Sequence, residues 1–515
     1  MSAARAVIAL LVADLRQRLR TPRFWLLIAG LAALMWWCFP ALERDYLTVS
    51  VGEGMRGRYS SAWIGMVAAL MYSSTLSLAG FYLVRGTVVR DLETRTWQLL
   101  VATTMSRGGY LLAKWLSHMV VFGLLIGAGL AVGLIAQLLR AEDLRIDLIE
   151  LVKPVLVLTL PSLALTAAFA IWFDLIPWLR RSAGNVVFFV AWVMLLTFGV
   201  SQAEQSPGAA LPWPGDPHGL LVAEYDLSHA WPSVDAGKEL GLSIGKQALE
   251  GKAPVLLDWT HWAITSATMQ ARGAWLALAL LLLALAVPLL DRCAAHVGSP
   301  GKARGDGARL RRLDAALSPL QRGSPGAALV AAELQLVLRP RKPWWWLAML
   351  AAMGVQLFAP EKAMAVAIIV AWVLAMDVFA RLILREHETH TTALVFTAPR
   401  MRVRMLWVRT IVAVGMAWVI TLPGMLRLVA VHPQAALATL VAGASLALWG
   451  MASGVLFRSG RMFELALLAV AYVSVQGGLP LNVAVAPTET LRWHLLGLPL
   501  ALVILAFGWR KMEAR

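Results

Sequence analysis

Long apolar runs alternate with short polar segments rich in arginine along the whole chain. A helix needs about 20 apolar residues to cross the hydrocarbon core of a bilayer, and twelve of the runs predict such a helix. They lie near 24–41, 60–84, 115–138, 154–176, 184–201, 273–290, 344–359, 363–384, 408–426, 434–456, 462–481 and 493–508. The pattern therefore predicts an all-α, polytopic membrane protein with about twelve transmembrane helices.

The composition indicates that the solvent for most of the chain is lipid. Hydrophobic residues make up 59% of the 515 positions and charged residues only 15%, whereas a soluble domain carries about a quarter charged residues. The chain has two cysteines, Cys38 and Cys293. They exclude a framework of several disulfides and leave no Cys/His cluster for a metal ion.

The basic residues are distributed unequally between the two faces of the predicted bundle. With the N-terminus inside, the cytoplasmic segments hold 32 of the 46 Lys and Arg residues, and the outer face holds 17 of the 30 acidic residues. Cytoplasmic loops of membrane proteins collect Lys and Arg. We therefore expect both termini in the cytoplasm and the chain in the plasma membrane, the inner membrane of a Gram-negative cell. The net charge of +16 then requires no nucleic acid as a partner.

Three pairs of polar segments recur in the same order in the two halves of the chain. They are Arg90-Asp91-Leu92-Glu93-Thr94-Arg95-Thr96 with Arg385-Glu386-His387-Glu388-Thr389-His390-Thr391, Ala13-Asp14-Leu15 with Ala332-Glu333-Leu334, and Arg181-Ser182 with Arg458-Ser459. The first pair is separated by 295 positions and the second by 319. Six spans per repeat bring both halves into the membrane from the same side, so the sequence predicts two six-helix bundles related as a parallel repeat.

The repeat sets the predicted domain boundaries. Residues 1–291 form the first six-span unit, 292–331 form a basic cytoplasmic linker with several glycines and prolines, and 332–515 form the second unit. The first unit carries a long outer loop at 202–272 with a predicted helix near 235–250. Connections of this length are uncommon unless they have a function. The loop either meets an outer partner or packs as a lid over the bundle.

The duplicated segments resemble those of the ABC-2 family of exporter permeases. That family has six spans per unit, an amphipathic helix before the first span, and a segment between spans two and three that typically reads acid-x-x-x-Gly-Thr-x-x-x-Leu-Leu-x-x-x-Pro-x-Ser/Arg. The matching residues are Glu93, Thr96, Leu99, Leu100, Ser106 and Arg107 in the first half, and Glu388, Thr391, Leu394, Pro399 and Arg402 in the second. Arg95 and His390 replace the usual glycine, and Thr104 replaces the proline.

This resemblance covers nearly the whole chain as two fused units and implies a function. In the ABC-2 family the inter-span segment is a coupling helix that touches a separate ATPase subunit. By resemblance, that partner would be present as two copies and would be contacted by Glu93, Thr96, Leu99, Arg107, Glu388, Thr391, Leu394 and Arg402. The chain would export an amphipathic or hydrophobic substrate such as a lipid, a peptide or a drug. Alternatively, these charges only anchor the chain at the inner face of the membrane, although anchoring does not explain a repeated Glu-Thr-x-Thr.

The chain lacks the sequence motifs of nucleotide binding and of zinc-dependent proteolysis. No Gly-x-x-x-x-Gly-Lys-Ser/Thr occurs, so ATP and magnesium are expected in the partner subunit. No His-Glu-x-x-His occurs either, and we expect neither enzyme activity nor a cofactor in this chain. His387 and His390 are spaced for one helix face, but no third metal ligand lies near them in the sequence.

Four charged residues fall within or at the ends of predicted spans. Asp377 and Arg381 are four residues apart and can neutralise each other on one helix face. The alternative is that they line a translocation path, since charges inside a membrane usually mark function. Asp174 and Glu464 lie near span ends and are expected to be structural.

Three other functions compete with ATP-driven export. An ion-coupled secondary transporter would need ionisable residues buried in mid-span, and the chain offers few. A membrane enzyme acting on lipids would need clustered His, Asp or Glu at an interface, and no such cluster is visible. A non-transporting scaffold through which an ATPase drives an outer-face protein is not distinguished from an exporter by the sequence.

Overall fold

Helices account for most of both units into which the chain divides. The computed structural model describes residues 3–41, 46–52, 54–94, 96, 105–180, 182–205, 216–229, 242–249, 251–295, 307–389, 391–397, 400–475 and 479–511. Unit 1 comprises Met1–Ser299 and unit 2 comprises Pro300–Arg515. The division falls inside the segment predicted as a linker, 292–331.

Unit 1 combines helices with a few short strands. Its helices are α1 (Ala3–Leu19), α2 (Pro22–Trp37), α3 (Ser61–Met71), α4 (Ser77–Val84), α5 (Thr87–Glu93), α6 (Arg107–Arg140), α7 (Leu148–Pro154), α8 (Leu160–Leu175), α9 (Ser182–Gln205), α10 (Leu220–His229) and α11 (Ser266–Ala295). Its strands are β1 (Tyr46–Val51), β2 (Met55–Gly57), β3 (Leu242–Ala248) and β4 (Val255–Leu257). Two π-helical turns, Tyr72–Leu76 and Val155–Thr159, continue α3 into α4 and α7 into α8.

The described part of unit 2 consists of helices joined by turns. They are α12 (Gly307–Gln321), α13 (Pro325–Leu338), α14 (Pro343–Phe358), α15 (Glu361–Arg381), α16 (Arg385–Glu388), α17 (Thr392–Val395), α18 (Met401–Val419), α19 (Leu422–Val431), α20 (Pro433–Phe457), α21 (Arg461–Val475) and α22 (Pro487–Lys511). Helices α12 and α13 occupy much of the segment predicted as a linker and pack against each other.

Several helices have the length and hydropathy of membrane spans, so the chain is a multi-pass, mainly helical membrane protein. Seven spans qualify among the described residues, or eight when the bent pair α18–α19 counts as one. The seven are Ser61–Glu93, Arg107–Arg140, Leu148–Leu175, Ser266–Leu290, Glu361–Arg381, Pro433–Phe457 and Pro487–Arg510. The predicted count of twelve is therefore not reached by these criteria.

Of the remaining apolar runs, the one in α9 is apolar over the shorter stretch Ala183–Thr197. Three others form helices that are too short to span a bilayer unaided. Helices α2 and α14 have 16 residues each, which at about 1.5 Å per residue gives roughly 24 Å of length against a core of roughly 30 Å. Helix α21 has 15 residues. The predicted span at 408–426 is also not straight, because α18 and α19 meet at an angle of 60°.

The strands of unit 1 correct the prediction of a purely helical fold. Strand β1 pairs antiparallel with β3, so that Tyr46 lies opposite Ala248, and β2 pairs parallel with β4. The helix predicted near 235–250 is wrong over 242–248, which is strand β3. Backbone groups that a long loop would leave unpaired are hydrogen-bonded here between segments far apart in the sequence.

Close backbone contacts between spans depend on small residues. A Cβ atom placed on Gly65 of α3 would lie 2.3 Å from the carbonyl oxygen of Leu151 in α7, so only glycine allows this approach. A Cβ atom on Gly123 of α6 would meet nothing within 4 Å. Helix association in lipid uses such small residues because it depends on packing rather than on the hydrophobic effect.

We predict that Gly65→Ala lowers the free energy of unfolding by about 1–3 kcal/mol, because α3 and α7 must move apart. Equilibrium unfolding in mixed micelles with increasing sodium dodecyl sulfate measures this change. Gly123→Ala is the matched control, and we expect it to leave stability unchanged or slightly raised. Equal effects of the two substitutions would contradict the close contact.

Candidate functional site

The predicted coupling segment of unit 1 begins at the end of α5. Glu93 is the last residue of α5 and its side chain is exposed, as is that of Thr96. Arg107 is the first residue of α6 and is also exposed. Leu99 lies outside the described residues. The acidic and basic ends of this segment are thus accessible on the surface of unit 1.

The predicted coupling segment of unit 2 has the same exposed character. Glu388 ends α16 and is exposed, and Leu394 in α17 is 77% exposed although it is apolar. Thr391 is half-buried between the two short helices, and Arg402 is exposed near the start of α18. His390 lies outside the described residues. Glu388 and Leu394 are therefore both accessible on the surface of unit 2.

Two threonines in each segment make matching hydrogen bonds. In unit 1 the Thr94 hydroxyl donates to the carbonyl of Arg90 (2.9 Å) and shares a hydrogen bond with the Thr96 hydroxyl (2.8 Å). In unit 2, 295 positions later, the Thr389 hydroxyl donates to the carbonyl four residues before it (2.9 Å) and shares a hydrogen bond with Thr391 (2.8 Å). The repeated Thr-x-Thr therefore ends both short helices in the same way.

A cluster of buried charges lies behind the segment of unit 1. Nζ of Lys114 in α6 is 2.8 Å from Oδ2 of Asp14 in α1 and 2.6 Å from Oδ2 of Asp91 in α5. Asp91 also accepts a hydrogen bond from the Tyr110 hydroxyl (2.9 Å) and lies 3.8 Å from the Arg90 guanidinium. Lys114 is fully buried. The charge cluster of unit 1 (Asp14, Arg90, Asp91 and Lys114) thus joins α1, α5 and α6.

Unit 2 contains the corresponding cluster. The guanidinium of Arg409 in α18 forms ion pairs with Glu386 in α16 and, at 3.5 Å, with Glu333 in α13. Arg385 reaches the other oxygen of Glu333 at 2.6 Å. Arg409 is fully buried. The charge cluster of unit 2 (Glu333, Arg385, Glu386 and Arg409) thus joins α13, α16 and α18.

The two clusters are equivalent position by position. The pairs Arg90 and Arg385, Asp91 and Glu386, and Lys114 and Arg409 are each separated by 295 positions, and Asp14 and Glu333 by 319. The sequence repeat identified the acidic residues of both clusters, together with Arg90 and Arg385. It missed the central cations Lys114 and Arg409, although they are related by the same offset of 295. Burial of these charges without partners would be strongly unfavourable, so each cluster holds its three helices in one arrangement.

Asp174 fixes the other end of α5. Its carboxylate accepts hydrogen bonds from the backbone N–H of Gly86 (2.8 Å) and of Val88 (3.1 Å). Gly86 has φ of 90°, a left-handed conformation that favours glycine and turns the chain from α4 into α5. A carboxylate at a helix N-terminus satisfies donors that the helix leaves free. Asp174 is therefore structural, in agreement with the prediction.

The predicted ion pair between Asp377 and Arg381 does not form. Asp377 instead accepts two hydrogen bonds from Nη1 of Arg341, at 2.7 and 3.0 Å. Arg381 lies 3.9 Å from Glu464. Arg341 is held over the ring of Trp345 at 5.1 Å from its centre, and this placement brings it to Asp377. A pair four residues apart on a helix contributes only about 0.2–0.5 kcal/mol, so the tertiary contact prevails.

The loop of unit 1 predicted on the outer face, 202–272, contacts the ends of the spans through several of its described residues. Trp262 is buried, and its backbone N–H donates to Glu150 (3.1 Å). Nδ1 of His261 lies 2.7 Å from the same carboxylate. At the start of α3, the Ser60 hydroxyl donates to the carbonyl of Trp259 (2.6 Å). These contacts favour the second alternative for 202–272, in which the loop packs as a lid over the bundle. A partner on the outer face stays a prediction.

The described residues include no group of three or more His, Cys, Asp or Glu side chains placed to hold a metal ion. His387, one of the two histidines considered as ligands, is half-buried in α16. Its neighbours Arg385 and Glu386 form ion pairs within the charge cluster of unit 2. These ion pairs support a role for Arg385 and Glu386 in positioning the helices.

Comparison with known proteins supplies no relative. The chain matches no protein-family model, no curated protein and no solved structure.

We predict that Lys114→Met lowers the free energy of unfolding by about 3–5 kcal/mol, because two buried carboxylates lose their shared cation. Arg409→Met should have an effect of the same size in unit 2. Unfolding by sodium dodecyl sulfate in mixed micelles measures both. Arg404→Met, an exposed arginine in the same helix as Arg409, is the control and should change stability by less than about 0.5 kcal/mol.

The charge cluster of unit 1 also predicts a rescue. Adding Asp14→Asn and Asp91→Asn to Lys114→Met removes the unpaired charges, and we expect most of the lost stability to return. A triple variant no more stable than Lys114→Met alone would contradict pairing as the source of the effect.

Proposed function

We propose that this chain is the membrane-spanning permease subunit of an ABC-type exporter for an amphipathic or hydrophobic substrate, such as a lipid, a peptide or a drug. One observation carries the proposal. In each unit an exposed segment between two spans is tied by buried charges to a preceding helix, α1 in unit 1 and α13 in unit 2, and to the following span. A surface that must receive a mechanical push needs this kind of rigid backing.

The transmission would proceed through the short helix of each segment. In unit 1, a partner that pushes on Glu93 moves α5. Helix α5 is held at its start by Asp174 of α8 and near its end by Lys114 of α6. Since Lys114 also binds Asp14, helix α1 moves with it. Packed helices joined in this way shift together as a rigid body, which is how domain motions are propagated in other transporters and switches.

A six-span organisation of each unit belongs to the same proposal. In unit 1 the order is a short helix (α2), three long spans, a short apolar helix (α9) and a long span (α11). Unit 2 repeats that order with α14, the spans at α15, α18–α19 and α20, then α21 and α22. This shared order supports two equivalent bundles of six, twelve helices in all. The same proposal has both termini in the cytoplasm and the chain in the plasma membrane.

The partner would be a separate ATPase, present as two copies with one under each unit. ATP and its magnesium ion would be bound by that partner, because the chain has no P-loop. Most of the predicted contact residues are exposed: Glu93, Thr96, Arg107, Glu388, Leu394 and Arg402. Thr391 is half-buried, and Leu99 lies outside the described residues.

We expect a P-loop ATPase to co-purify with the tagged full-length chain from its native membrane. Glu93→Arg combined with Glu388→Arg should reduce its recovery by at least about tenfold, because each contact surface loses a negative charge and gains a positive one. Mass spectrometry and an ATPase assay of the eluate measure this. The control is Glu361→Arg with Glu489→Arg, which makes the same change of charge at two other exposed sites. A wild-type chain with no ATPase partner would contradict the exporter and favour an ion-coupled transporter.

The proposed orientation predicts the labelling of single cysteines. In a background of Cys38→Ser and Cys293→Ser, we expect His261→Cys to react with a membrane-impermeant maleimide in intact cells. Thr389→Cys should react only after permeabilisation. Both side chains are exposed, so access depends on the side of the membrane. The reverse pattern would contradict the orientation.

A further inference from the structure

Unit 1 contains a small cavity between α8 and α9 whose walls are mainly aromatic and aliphatic. Its volume is about 50 Å³. The apolar lining is contributed by Leu165, Phe169, Phe173, Phe188, Trp192 and Leu195. Its end wall is His218, which precedes α10. A cavity of this size holds one arm of a ligand and not a whole drug-sized molecule, whose sites typically measure about 300–1,000 Å³.

One side of the cavity opens at the surface of unit 1. Phe169, Phe173 and Leu195 are only half-buried, whereas Phe188 and Trp192 are buried. These three side chains belong to the apolar helices α8 and α9. A molecule dissolved in the bilayer can therefore enter the cavity from the side.

The π-helical turns of unit 1 lie beside residues that line the cavity. Ser162 donates to the carbonyl of Ser73 (3.3 Å) in the turn Tyr72–Leu76, and Trp192 donates through Nε1 to Ser77 (2.9 Å) just after it. The second turn, Val155–Thr159, contacts the first through a hydrogen bond between Thr159 and Ser73 (3.3 Å). Such turns widen a helix locally and occur frequently at functional sites.

His218 is the polar group of the lining whose hydrogen-bonding capacity is unused among the described residues. It is 5% exposed, and neither Nδ1 nor Nε2 has a hydrogen-bond partner. The hydroxyls of Ser162 and Thr166 donate to carbonyl groups, and the Trp192 N–H donates to a serine. A buried polar group without a partner costs free energy, so its presence at the end of an apolar cavity points to a ligand.

The imidazole of His218 is neutral at physiological pH. Burial lowers its pKa from 6.5 to about 4, while Asp216 raises the pKa and Arg272 lowers it. The Asp216 carboxylate accepts from three backbone N–H groups at the start of α10. The Arg272 guanidinium donates to the carbonyls of Leu158, Asp216 and Pro217. A neutral imidazole offers one donor and one acceptor, which suits an uncharged hydroxyl or amide group.

We propose that this cavity binds an uncharged amphiphile from the bilayer, with its hydrogen-bonding group on His218 and its apolar body between Phe173, Phe188 and Trp192. The role of such a molecule as cargo rests on the proposed exporter function, whereas its binding requires neither ATP nor a partner. The two proposals can therefore fail separately.

Photolabelling of the purified full-length chain in detergent micelles tests this binding. The probe is a long-chain alcohol that carries a diazirine on its alkyl chain, and the reference is the same diazirine alkane without the hydroxyl. We expect the alcohol to form adducts on peptides of α8 and α9 around the cavity. His218→Phe should reduce labelling by the alcohol about tenfold, the factor that corresponds to one or two lost hydrogen bonds, and should leave labelling by the alkane unchanged.

Two further variants keep the test decisive if His218→Phe does not fold. Ala191→Trp fills the cavity from α9 and should abolish labelling there by both probes. His432→Phe, an exposed histidine of unit 2, should change neither. Equal alcohol labelling of the wild type, His218→Phe and Ala191→Trp would overturn the proposal. So would adducts of the alcohol spread along the exposed faces of α6 and α11 as densely as around the cavity.

Discussion

The burial of a cation between two carboxylates, once in each unit, is the constraint around which both helix bundles are arranged. Neither Lys114 nor Arg409 has contact with water, and a charge in that position is tolerated only when it is paired and hydrogen-bonded. Each cluster takes its carboxylates from two other helices. Helices α1, α5 and α6 must therefore meet at one point in unit 1, as must α13, α16 and α18 in unit 2, and the exposed segments are carried on these junctions.

The units differ where this constraint does not act. Unit 1 has strands formed by the segments around 46–57 and 242–257, the ion pair of Arg56 with Glu142, and two π-helical turns. The described part of unit 2 has helices throughout. The geometry that the two units share lies at the end of each bundle that bears its charge cluster. The additional strands of unit 1 lie at the connections of α2 to α3 and of α9 to α11.

Hydropathy predicted the long spans well, since each predicted run lies largely within a helix long enough to cross a bilayer. It failed for α2 and α14, whose helices have only 16 residues each. The sheet pairing of Tyr46 with Ala248 was not predictable, because the partners are about 200 positions apart and β3 contains glycine. The acids of the charge clusters were found through the repeat. Lys114 was counted only as an inner-face charge, since a sequence does not reveal which cation lies between two distant carboxylates.

Hydrogen–deuterium exchange of the chain in lipid nanodiscs, compared between the wild type and Asp14→Asn, tests the central claim most directly. Asp14 lies in α1, far in sequence from α5, and the two helices are linked through Lys114. If the charge cluster holds the inter-span segment, Asp14→Asn will raise exchange in Thr87–Glu93 and leave Arg385–Glu388 of unit 2 unchanged. Unchanged exchange in Thr87–Glu93, or an equal rise in both segments, would contradict it.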